Sequence, residues 1–196
     1  MPILLALMAQ TATLDADDSK AALACAMAVA VASPSENPMR ITSQVSHFVM
    51  QAAKADPGGK PFLERMGELT GAADQTADSA KALLPECDRR FPLARASATV
   101  RLPADTFQRD LMCFGILGIF RGAAGQLEED SGDAGALDRI QTVLAPISDR
   151  LTDAALNAHG ITSEDAFSAA IGEQIKASLA LGNGEDVARA CGVASL

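Results

Sequence analysis

Apolar residues recur at steps of three and four along nearly the whole chain, and no stretch sustains the strict alternation of a half-buried strand. This period constrains the chain more than any other feature. Helices with one apolar stripe bury it most simply against one another, so the expected fold is all-α, a helical bundle. With 48% hydrophobic residues there is enough apolar side chain for a packed core.

The breaks in the period place the helices. The first is expected from Asp17–Ser19, good N-cap types, through an alanine-rich run to Ser33, where Pro34 stops it. A second covers about Met39–Ala55, with Ile41, Val45, Phe48, Val49 and Ala52 on its buried stripe. Asp56-Pro-Gly-Gly is a turn, and Pro61 suits the first position of a third helix. Its stripe runs from Phe62 to Leu84 and ends at Pro85, with a bend expected near Gly71. Pro103 opens a fourth helix around LMCFGILGIF at 111–120, and Glu128–Gly135 reads as an acidic loop. The register Leu137, Ile140, Leu144, Ile147, Leu151 and Ala154 predicts one kinked fifth helix across Pro146, closing at His159-Gly160. A sixth begins at Thr162/Ser163 and stops at Gly182-Asn-Gly, and a last turn, Glu185–Ala190, delivers Cys191.

Two three-helix units in tandem account for this order. Residues 1–16 form a signal segment or an apolar N-terminal tail, 17–88 the first unit, 89–102 an arginine-rich linker and 103–196 the second unit. Leu23-Ala-Cys25 and Leu111-Met-Cys113 each sit in the first helix of a unit, and Cys87 and Cys191 each follow a third. The preferred pairing is therefore Cys25–Cys87 with Cys113–Cys191, one of three connectivities that four cysteines allow. Disulfides fit an exported protein, periplasmic or extracellular; four buried free thiols in a cytoplasmic protein are the alternative. No zinc-type cysteine spacing is present, and no apolar run reaches the roughly 20 residues of a transmembrane segment.

A net charge of −9, with no Trp or Tyr, argues against nucleic acid as a partner. Neither histidine sits in a recognised nucleophile arrangement. His47 groups with Arg40, Ser43, Gln44, Gln51 and Lys54 opposite the apolar stripe and is expected at the surface. His159 sits in the last turn of the fifth helix, next to the capping glycine, where the helix dipole favours an imidazolium. The acidic run 128–133 lacks the EF-hand order, and Glu64 and Glu68 lack the histidine partners of a paired-metal helix, so no metal and no cofactor is expected. Two candidates remain. Arg89, Arg90, Arg95 and Arg101 form a basic cluster suited to a phosphate, a carboxylate or the docking of one unit on the other. Gly115, Gly118, Gly122 and Gly125 line one helix face, for close helix packing or an apolar groove.

The expectation is a non-catalytic interaction or structural module, presenting helix surfaces to a protein partner or to itself. A carrier of a small apolar ligand between helices comes second, and an enzyme third, for want of an assembled acid–base or nucleophile set.

Overall fold

The computed structural model describes residues 13–32, 35–56, 58–69 and 76–196, and they are all-helical. The expected signal segment lies mostly outside the described residues, as do Pro34 and the bend at Gly71. Among the described residues nine helices follow in order: α1 Asp18–Ala32, α2 Pro38–Ala55, α3 Phe62–Leu69, α4 Ala77–Arg90, α5 Thr106–Ser131, α6 Gly135–Arg150, α7 Asp153–Ala158, α8 Glu164–Ser178 and α9 Gly184–Ala190.

Most of the helices begin at a side-chain cap. Asp17 accepts from the amides of Ser19 and Lys20 at 2.8 and 3.1 Å and starts α1. Asn37, Thr76, Thr152, Ser163 and Asn183 serve α2, α4, α7, α8 and α9 in the same way. Asp105 does so for α5, which therefore starts at Thr106 and not at Pro103.

Several boundaries differ from those the sequence predicts, each for a local reason. The third predicted helix is two, α3 and α4, on either side of residues 70–75. Pro85 does not stop α4; the carbonyl deprived of its usual partner, that of Lys81, belongs to an exposed residue, where the loss costs least. α5 runs on through Glu128–Ser131 to Gly132 at φ 75°, so the acidic loop shrinks to 132–134. α6 passes Pro146 as expected but ends at Arg150. There Leu151 N–H turns back to the carbonyls of Ile147 and Ser148, and Thr152 caps α7 separately.

Two apolar clusters hold the helices together. The larger centres on α5, whose Leu111, Met112, Ile116, Leu117 and Phe120 meet Ile140 and Ile147 of α6, Ile175 of α8 and Val187 of α9. The smaller joins Ala22, Cys25, Ala26 and Val29 of α1 to Phe48, Val49 and Ala52 of α2, Cys87 of α4, and Phe91 and Ala94. α2 serves both, since its Met39, Met50 and Ala53 belong to the larger cluster, as does Phe62 of α3. Disulfides join Cys25 to Cys87 and Cys113 to Cys191, with Cα–Cα separations of 5.6 and 5.7 Å, in the preferred pairing.

Candidate functional site: an arginine-lined cleft beside alpha-5 and alpha-6

The non-helical stretch after Phe91 is docked, not free. Asp186, buried at the start of α9, accepts the Ala98 amide on Oδ2 at 2.8 Å and Arg189 on Oδ1 at 2.9 Å. The Asn183 side-chain amide donates to the Ala96 carbonyl at 3.1 Å, while its oxygen caps α9. Gly182 leaves just enough room for Val100, whose Cγ2 stands 3.1 Å from where a Cβ would be. This strap carries Val100–Ala104 alongside the N-terminal half of α5.

Between the strap, α5, α6 and the end of α9 lies a cleft of about 840 Å³. Its charged groups are Arg101 on the strap, Arg109 and Asp110 on α5, and Arg150 on α6; Leu102, Val143 and Ile147 contribute apolar wall, and Cys113 and Cys191 also line it. Arg150 grips Asp110 through two hydrogen bonds of 2.7 Å and donates a third to the Pro146 carbonyl at 2.9 Å. The hydrogen bonds to Asp110 hold the Arg150 guanidinium still further into its charged range. Asp110 is 4% exposed, so this fork also satisfies a carboxylate that would be costly to bury alone. Among the described residues Arg109 bonds only the Thr106 hydroxyl, at 3.2 Å, and Arg101 is exposed on the rim.

The expected arginine cluster is spread over separate local partners. Arg89 pairs with Glu86 within α4. Arg90 pairs with Asp18 and donates to the carbonyls of Asp15 and Ala16, tying α4 to the start of α1. Arg95 takes both oxygens of Asp88 at 3.0 Å. Arg101 alone of the four reaches the cleft, and its companions there, Arg109 and Arg150, lay outside the cluster read from the sequence. Arg109 follows Arg101 closely enough for its proximity to have been a signal. Arg150 meets Asp110 across 40 residues, and nothing in the sequence marks that pair.

The glycine face divides. A Cβ on Gly115 would come within 2.9 Å of Ile171 and Ile175, so α8 approaches α5 closely there. Gly118, Gly122 and Gly125 have nothing within 4 Å of a Cβ and border an outer groove with Glu128 and Glu129.

His47 is not at the surface, as the sequence predicts, but fully buried. The polar face of α2 is covered by the start of α9, where Ser43 Oγ accepts the Glu185 amide at 2.8 Å. Burial pushes the His47 imidazole down to about 4, against a weaker upward pull from the Gly182 backbone. The ring is therefore neutral near pH 7, with Nε2 3.3 Å from the Gln51 side-chain amide. It borders a 270 Å³ cavity with Gln51, Phe91 and the Asp18–Arg90 pair. His159 caps α7 and stacks on Phe107 at 3.7 Å between centroids. Glu64 and Glu68 pair with Lys60, and no group of metal-ligating side chains forms among the described residues.

No protein-family model, curated protein or solved structure matches the chain at a significant level.

Proposed function

We propose that the protein works by binding, in an exported and oxidising setting, and recognises its partner through the cleft beside α5 and α6. The cleft's own chemistry carries this reading. Guanidinium groups stay protonated throughout the working pH range, so they hold an anion and do not relay protons. Two disulfides among the described residues support the compartment. No helix among the described residues is long and apolar enough to cross a membrane. A helical surface offered to a protein partner and a pocket for a small ligand both remain binding roles. The concavity of the cleft, within the range of about 300–1,000 Å³ typical of small-ligand sites, favours the second.

The test is native mass spectrometry of the protein isolated from its own host, beside an Arg101→Gln/Arg109→Gln double variant. A bound species present on the wild type and lost from the variant is the expected result. Equal retention by both, or no bound species on either, would count against the reading. Intact mass with and without reduction before thiol alkylation tests the compartment: alkylation of all four cysteines without reduction would remove the argument for export.

A further inference from the structure

We infer that the cleft takes an amphipathic anion, an oxyanion head on Arg101 and Arg109 with an aliphatic tail along Leu102, Val143 and Ile147. This rests on the cleft being the recognition site and names its ligand class. Five surface clefts among the described residues can be compared by the charged side chains that line them. This one has three arginines against Asp110 and is net positive by two. The cleft of Asp153 and Glu164 is net negative by two, and that of Arg121, Glu128 and Glu129 by one. The remaining two balance, Asp18 against Arg90 and Lys60 with Lys176 against Asp165 with Glu173. Of these five, this cleft alone carries a positive excess, in a chain of net charge −9.

The lone carboxylate there does not oppose an anion. Both Asp110 oxygens are occupied by Arg150, so the pair presents little net field to the cleft. Arg101 and Arg109 have no carboxylate partner among the described residues. Polarity then selects the ligand. A purely apolar guest would strip water from two guanidiniums and return no hydrogen bonds. An inorganic anion would satisfy them but leave the apolar wall wet. A molecule with an oxyanion at one end and hydrocarbon at the other matches both surfaces.

Carboxylate and phosphate heads share this chemistry, so the test uses dodecanoate, dodecyl phosphate and dodecanol, each below micelle formation. Binding to the full chain is followed by the methyl resonances of Val143 and Ile147 and the Arg Nε–H signals. Saturable shifts are expected with one or both anions, with affinity falling by about tenfold or more for dodecanol and for the Arg101→Gln/Arg109→Gln variant. The stronger of the two anions identifies the head. Equal affinity for dodecanol, or unchanged affinity in the variant, would overturn the inference. If no probe moves these signals while the host-isolated protein still loses its bound species in the variant, the ligand class is wrong and the cleft stands. If both experiments are blank, both readings fall.

Discussion

His47 is where a single residue makes stability depend on pH. Its folded value, about 4, lies below the 6.5 expected of an unfolded histidine, so between these limits the unfolded chain takes up a proton that the folded one refuses. The native state therefore keeps its full stability above about pH 6.5 and loses up to about 3 kcal/mol as the pH falls through 4. Urea midpoints measured across that range should fall for the wild type and fall less for His47→Gln, which cannot titrate; equal slopes would place the acid sensitivity elsewhere. The sequence places this residue on the wrong side of the protein for a definite reason. Helical periodicity identifies the stripe of Ile41, Val45, Phe48, Val49 and Ala52, but not a second helix covering the opposite face. Ile41 and Val45 are in fact only partly buried, while Ser43, Gln44 and His47 are buried under the turn and helix that begin near Gly182.

At the scale of elements, the glycines of α5 offer an internal comparison. Gly115→Ala forces a methyl against Ile171 and Ile175 and should cost about 1–3 kcal/mol in thermal or urea unfolding. Gly118→Ala meets nothing and should stabilise the helix by up to about 1 kcal/mol. The strap is the second test. Asp186→Ala removes the acceptor of the Ala98 amide and should destabilise the fold by about 1–3 kcal/mol, with faster hydrogen exchange at Ala98 than at the α5 amides. Helix interiors were legible because side chains repeat there. Ends were less so: Pro85 sits within α4 and does not end it, and only the cap hydrogen bonds of Asp105 and Thr152 decide where α5 and α7 begin. The cleft was legible only through Arg101, because its other walls come together from α5, α6 and α9.

For the whole molecule, the bridges formed are those of the preferred pairing, one of three that four cysteines allow, between residues separated by 62 and 78 positions. Loops of that length restrict the unfolded chain enough that each bridge contributes about 4 kcal/mol in the chain-entropy model. Cys25→Ala/Cys87→Ala and Cys113→Ala/Cys191→Ala should each lower the unfolding midpoint substantially, as should reduction of the wild type. The second pair should also weaken ligand capture, because Cys113 and Cys191 line the cleft. That placement has a consequence in time as well as in space. During synthesis, α1, α2 and α4 have all emerged before α5 begins, so the smaller cluster and the Cys25–Cys87 bridge can form early. The cleft needs Asn183 and Asp186 to seat its strap and Cys191 to close its far side. The proposed recognition cleft is therefore completed only once α9 has emerged, and a nascent protein stalled before α9 would already hold one bridge while its cleft lacked a seated strap and a far wall.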